Sequence, residues 1–190
     1  LRFTPVAVLE REGYGEYLAL FTADPSATPA PPRRALATFG MGCFWGAEVK
    51  FCNLKGVLGT RVGYAGGQGA DPTYQKVSTG RTGHAEVVQI EYDPDLISYD
   101  QLLEVFWQGH APTPLNRQGP DVGTQYRSLI LARDGEQEAA ARASLARQAG
   151  RFPDPIVTEI ATGTDFFPAE DYHQRYLEKR GRAQCSVGGH

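Results

Sequence analysis

"ALATFGMGCFWGAEVKF" (35–51) changes its hydrophobic spacing half-way along. Residues 35–39 form a short apolar run of the kind that makes a buried strand. From Cys43 onward, apolar side chains recur at Phe44, Ala47, Phe51 and Leu54, a helical stripe that predicts a helix over residues 43–54. Gly40, Gly42 and Gly46 permit a tight corner between the two elements and leave space beside it. A strand turning at once into a helix is the opening unit of a mixed α/β fold.

The pattern downstream extends that unit. "VLGTRVGYAGG" (57–67) reads as a second strand ending in glycine turns, and "HAEVVQIEYDP" (84–94) as a third, stopped by Asp93-Pro94. In "SYDQLLEVFWQGH" (98–110), Ser98 and Gln101 make a capping box, so a helix begins there. "YRSLILAR" (126–133) is a fourth strand. The alanine-rich "DGEQEAAARASLARQAG" (134–150) is a helix closed by Gly150, and "IVTEIA" (156–161) is a fifth strand. The order β-α-β-β-α-β followed by α-β predicts an α/β (α+β) two-layer sandwich with a ferredoxin-like split βαβ core and extra terminal segments. Four prolines in "TADPSATPAPPRR" (22–34) disfavour helix and sheet, so residues 1–34 read as an N-terminal extension, 35–180 as the catalytic domain and 181–190 as a flexible C-terminal tail.

With 190 residues, 41% of them hydrophobic, the chain supports one well-filled core and not comfortably two. Its 19 basic and 22 acidic residues are scattered, with no basic block to neutralise phosphates, which argues against nucleic acid as a partner. No apolar run approaches the roughly 20 residues of a membrane span, and Glu10, Arg11 and Glu12 interrupt the first stretch too early for a signal-peptide core. The expectation is a cytoplasmic monomer with no membrane partner. Cys43, Cys52 and Cys185 are too few and too widely spaced for a disulfide scaffold or a CxxC zinc site. A chemical role for at least one thiol is the stronger reading.

Two readings of Cys43 stand side by side. In the first turn of its helix, its sulfur would lie beside unpaired N–H groups and the positive end of the dipole, which favour thiolate. It could equally be an ordinary small buried residue at a strand–helix junction. Phe44 and Trp45 point about 100° apart on a helix, so one at least should face the open side. On the third strand Glu86 shares a face with Val88, Ile90 and Tyr92. Desolvation at the end of that apolar face favours its protonated form, an acid able to give a proton near neutral pH, although a salt-bridged strand-end Glu would look the same in sequence.

Four motifs now stand in order: "GCFWGAE" (42–48), "GHAEVVQIEYDP" (83–94), "NRQGPDVGTQYRS" (116–128) and "FFPAEDYHQRYL" (166–177). Over about residues 36–180 the chain resembles the A-type peptide methionine sulfoxide reductases. The resemblance implies that Cys43 attacks the sulfoxide sulfur, Glu86 protonates its oxygen, and the phenols of Tyr74 and Tyr126 hydrogen-bond that oxygen. Phe44 and Trp45 would hold the substrate methyl and Asp121 would steady the site, with His84, Gln125 and His173 in support. It also implies the S epimer of methionine sulfoxide, in oxidised proteins or peptides or free. Such chemistry needs an acid and hydrogen-bond donors on the oxygen side, because a sulfoxide is a poor electrophile until its oxygen takes a proton.

Attack would leave Cys43 as a sulfenic acid, which a second thiol converts to a disulfide. Cys52 lies nine positions along the same helix, about 13 Å away and beyond the roughly 7 Å a disulfide spans, so it reads as a buried core residue. Cys185, in a glycine-rich tail, is the resolving thiol that the resemblance suggests, giving a Cys43–Cys185 disulfide reduced by thioredoxin, or by dithiothreitol in the test tube, in a single step with no relay and with no metal or organic cofactor. Two departures from the family pattern are Ala111, where many relatives carry an acidic residue, and the single C-terminal cysteine. Two rival chemistries would use the same sulfur: a thiol hydrolase with His84 or His173 as base, and a metal or redox-sensing module built on Cys43, Cys185 and a histidine.

Overall fold

A computed structural model describes Pro31 and residues 33–185. The expected N-terminal extension lies almost wholly outside the described residues, as do residues 186–190 of the tail.

Strand β1 (Ala35–Met41) leads through Gly42 into helix α1 (Phe44–Phe51), and β2 (Val57–Ala65) follows. A five-residue helix α2 (Tyr74–Ser78) precedes β3 (Ala85–Tyr92), then come α3 (Tyr99–Gly109), the short strands β4 (Arg117–Gln118) and β5 (Asp121–Val122), and a 3-10 turn at Thr124–Tyr126. The chain continues with β6 (Ser128–Ala132), α4 (Gly135–Arg147), β7 (Glu159–Thr162), β8 (Phe166–Pro168) and α5 (Tyr176–Lys179). The sheet order is β7-β6-β1-β3-β2-β8. Its middle four strands, β6-β1-β3-β2, pair antiparallel throughout, which is the split βαβ arrangement the sequence predicts. Strand β7 joins parallel to β6 after crossing over through α4, and β8 closes the other edge against β2.

One face of the sheet carries the main core. Phe39 of β1, Val88 and Ile90 of β3, and Ile130 of β6 pack with Ala47 and Phe51 of α1 and with Leu102, Leu103 and Phe106 of α3. Alternation along β3 therefore puts Glu86 on the helix-covered face, in register with Tyr64 of β2. Helix α3 starts on the Ser98–Gln101 capping box, and α4 on Asp134, whose carboxylate accepts the Gln137 N–H at 2.8 Å.

Helix α1 is shorter than its apolar stripe suggests. It stops at Phe51, and Leu54 packs from the following turn, because Gly56 swings the chain back at φ +93 to begin β2. At the other end Cys43 is the residue before the first turn, with φ −57 and ψ 122. Of the three corner glycines only Gly42 makes the turn, at φ +84, where a Cβ would stand 2.5 Å from that of Gln118. Gly40 is a strand residue packed on Leu129, and Gly46 faces open space.

Candidate active site

The corner holds one free thiol. Cys43 is half-buried and unpaired, and the N–H groups of Trp45 and Gly46 point at its sulfur. Burial nevertheless pushes the thiol up to about 11, helped by the negative charges of Glu86 and Asp121 and opposed by the two N–H groups. The expectation of a resting thiolate is thus corrected: at neutral pH the sulfur keeps its proton. A residue just outside an eight-residue helix gains two N–H contacts, and desolvation with two nearby carboxylates outweighs them.

Glu86 behaves as its strand face predicts. It is 3% exposed, and its Oε2 accepts the backbone N–H of Phe44, next to Cys43, at 3.0 Å. Burial raises its carboxyl to about 7, with the Phe44 N–H opposing and the Asp121 charge adding to the rise. The group is therefore divided between acid and carboxylate at neutral pH.

Three further predicted residues converge here. Tyr126 sits on the 3-10 turn after Gly123, and burial together with the charges of Glu86, Tyr74, Asp121 and Cys43 lifts its phenol to about 12. It stays a hydrogen-bond donor across the physiological range. Tyr74 opens α2, with its ring 4.7 Å from that of His173. Asp121 lies on the β4–β5 hairpin opposite Gln118. The Gln118 amide bonds the backbone N–H and C=O of Ala111 at 3.0 Å each.

The aromatic pair divides as its helical spacing implies. Phe44 is fully buried against Tyr64 and His173. Trp45 is half-buried, stacked at 3.6 Å on Tyr176, with the Arg180 guanidinium 4.3 Å beyond that ring. Its indole N–H donates to His173 Nδ1 at 3.0 Å. His84 lies elsewhere, just before β3: its Nδ1 accepts the Gly67 N–H and its Nε2 bonds Gly69 O, which fastens the loop after β2. Both His84 nitrogens are thus engaged, and of the His173 nitrogens Nδ1 receives the Trp45 N–H while Nε2 lies 3.9 Å from Glu170 Oε2. Gln125 is buried beneath Gly123, where a Cβ would meet its Oε1 at 2.2 Å. Among the described residues no three His, Cys, Asp or Glu side chains gather as a metal ion would require.

The cysteine pairing differs from expectation. Cys185 is bonded to Cys52, with their Cα atoms 5.2 Å apart, and Cys43 remains free. Cys52 is buried, as predicted, but it is disulfide-bonded and not simply a core residue. Nor does the tail hang loose as far as Cys185, which is 7% exposed. Three contacts lead it along α1 to the far end: Tyr176 stacks on Trp45 near the start, Glu48 Oε2 accepts the Arg175 N–H at 2.9 Å in the middle, and Asn53, just past the end, donates to the Gln184 carbonyl. Sequence reasoning also missed Glu48, Tyr64, Glu170 and Tyr176. A carboxylate inside "GCFWGAE" and another inside "FFPAEDYHQRYL" were the available signals; Glu48 is buried and Glu170 half-buried.

A family model described as peptide methionine sulfoxide reductase matches residues 35–189. The chain belongs to that family. Relatives named peptide methionine sulfoxide reductase MsrA include one from Geobacter metallireducens, 54% identical over 157 residues, covering 82% of this chain and 97% of that protein. Another, from Methanoculleus marisnigri, is 56% identical over 158 residues, covering 81% and 96%. Among solved structures, methionine sulfoxide reductase A of Corynebacterium diphtheriae superposes with a TM-score of 0.76 at 36% identity, over 86% of this chain and 82% of that one. Mxr1 from Saccharomyces cerevisiae in reduced form gives 0.74 at 31% identity, over 87% and 96%. The protein is accordingly an oxidoreductase that uses thiol chemistry to reduce methionine sulfoxide. No described helix of this reductase is long and apolar enough to cross a membrane.

Proposed function

We propose that the corner at Cys43 reduces methionine (S)-sulfoxide, free or within oxidised proteins, by moving the sulfoxide oxygen onto the Cys43 sulfur. The methyl group rests against Phe44 and Trp45 while the oxygen meets Glu86 and the phenols of Tyr74 and Tyr126, with Asp121 holding the hairpin side. Glu86 passes its proton to the oxygen, and the cationic sulfur this creates lowers the pKa of the thiol it faces. Activation therefore waits for substrate, which suits a sulfur that is otherwise neutral. Cys43 attacks the cationic sulfur and gives up its proton, forming an S–S bond to the substrate; the hydroxyl then passes to the Cys43 sulfur as the S–S and S–O bonds break, the electron pair stays on the departing methionine, and Cys43 is left as the sulfenic acid. Thioredoxin first supplies two electrons to the Cys52–Cys185 bond and frees both thiols; the Cys185 thiol then condenses with the sulfenic acid, losing water and forming a Cys43–Cys185 disulfide that thioredoxin reduces in turn in the cytoplasm. No metal or organic cofactor enters this scheme.

The observation that carries this reading is the Glu86 carboxyl near 7, hydrogen-bonded to the residue beside the free thiol. Dithiothreitol-driven reduction of the separated epimers tests it. Wild type should consume the S form and leave the R form, and Cys43→Ser should consume neither. Activity in Cys43→Ser, or equal use of both epimers, defeats the assignment.

A further inference from the structure

Glu170 makes no hydrogen bond to the Cys43 sulfur, the Glu86 carboxyl or the Tyr126 phenol, yet it bonds the backbone of Tyr74 and lies 3.9 Å from the histidine that holds Trp45. We propose that Glu170 is a positioning residue that fixes the gap between the Tyr74 phenol and the Trp45 indole, and thereby which S-alkyl group the site accepts. The inference rests on the roles proposed for Tyr74 and Trp45.

One arm runs to the oxygen side. Glu170 Oε1 accepts the backbone N–H of Tyr74 at 2.9 Å, pinning the first residue of α2, and Oε2 accepts the Tyr64 hydroxyl at 2.8 Å. Burial pulls this carboxyl up, but the Tyr74 N–H, its own backbone N–H, the Tyr64 hydroxyl and His173 together hold it below the ordinary range, so it is a carboxylate at neutral pH.

The other arm runs to the methyl side through His173. An indole N–H can only donate, so His173 Nδ1, which receives it from Trp45 at 3.0 Å, carries no proton. The neutral ring therefore bears its proton on Nε2. That N–H is buried in a residue 1% exposed, has no hydrogen-bond partner, and stands 3.9 Å from Glu170 Oε2. Burial lowers the pKa of His173, which keeps Nδ1 an acceptor. A movement of about 1 Å would bring Nε2 within hydrogen-bond distance of Oε2 and complete a chain Glu170–His173–Trp45. The His173 ring also abuts Phe44 at 5.1 Å and Tyr74 at 4.7 Å, so its placement is felt on both walls. The carboxylate thus governs a width, and a width sorts methyl from ethyl.

Steady-state kinetics on methionine sulfoxide and its S-ethyl homologue, with tryptophan emission as a second readout, test the proposal. One methylene in a shaped apolar site is worth about 10- to 200-fold in kcat/KM, and wild type should favour methyl within that range. Glu170→Ala should raise KM about tenfold with a smaller change in kcat, bring the methyl-to-ethyl ratio toward one, and shift Trp45 emission. His173→Asn keeps an amide oxygen near the Nδ1 position but has no Nε2–H to face Glu170, and His173→Leu lacks both, so each should bring the ratio toward one and shift the emission, Leu by more than Asn. A Glu170→Ala protein that unfolds earlier but keeps the wild-type ratio and emission overturns the proposal, as does a wild type indifferent to the added methylene. Tyr74→Phe and Trp45→Ala variants with wild-type kcat/KM would instead defeat the reading of the site on which it rests.

Discussion

The two ends of helix α1 each hold a sulfur, and they have opposite fates. At the N-terminal end Cys43 is free, with two N–H groups and two carboxylates acting on it. At the C-terminal end Cys52 is buried and already oxidised, bonded to a residue 133 positions away. Eight helical residues separate them, so they cannot pair with each other. The difference shows that the helix itself does little to choose the chemistry of its cysteines. What chooses is what the rest of the chain brings to each end: an acid from β3 and Asp121 from a hairpin at one, the returning tail at the other.

The largest expected effect comes from altering the acid at the N-terminal end. Glu86→Gln keeps an acceptor for the Phe44 N–H but has no proton to give, so the single-turnover rate should fall by about 10²- to 10⁴-fold. In wild type that rate should decline as pH rises through about 7; in the variant this limb should vanish. Stability should move the other way. Glu86 binds its proton more tightly in the folded state than at its ordinary value of 4.5, so folding loses stability as pH rises from there to about 7. Removing the charge should therefore stabilise the protein at pH 8 by an amount on the order of 3 kcal/mol and do nothing at pH 4. Unfolding curves at both pH values check the sign, and a variant less stable at pH 8 would contradict it.

At the C-terminal end the expected effect is on stability and on the later resolving step, and not on the reactivity of Cys43 itself. The Cys52–Cys185 bond closes a loop spanning 133 positions, for which chain entropy gives an upper figure near about 5 kcal/mol, with about 2 to 4 more usual. Reduction should lower the thermal midpoint accordingly while leaving the rate of Cys43 alkylation by iodoacetamide unchanged. If reduction speeds Cys43 alkylation, the two ends communicate and the contrast between them is weaker than the static arrangement implies.

Sequence reading succeeds here where the signal is local and repeated. Alternation in 84–94 gives both β3 and the inward face of Glu86, and the switch of spacing at Cys43 gives the corner. The short elements β4, β5, β8, α2 and α5, of two to five residues each, carry no period to read. Two misreadings at the site share a cause. The dipole argument for a Cys43 thiolate counted only the helix, because the Asp121 charge and the depth of burial arise from pairing across the fold. The position of Cys185 escaped for the same reason, since Glu48, Asn53 and Trp45 set it through contacts more than a hundred residues away in sequence.

Glu48 offers the finest way to sharpen the contrast, because it sits between the two sulfurs and serves both surroundings. It is 2% exposed, and its oxygens accept from the Thr60 hydroxyl at 3.1 Å and the Arg175 N–H at 2.9 Å. Burial pushes its carboxyl up, with those donors opposing. Arg175 is held at φ 50, a left-handed position unusual for a side chain of that size, at the point where the chain turns to stack Tyr176 on Trp45 and then runs on to Cys185. Glu48→Ala takes away that acceptor and should lower stability by about 1 to 3 kcal/mol. Trp45 loses part of its support but none of its hydrogen bonds, so the rate of Cys43 alkylation should change by less than about threefold. Cys185 loses the contact that aims its tail, so re-formation of the Cys52–Cys185 bond after reduction should slow more than alkylation does. Equal changes at both sulfurs would mean that Glu48 acts on the helix as a whole, and that the two ends differ only in degree.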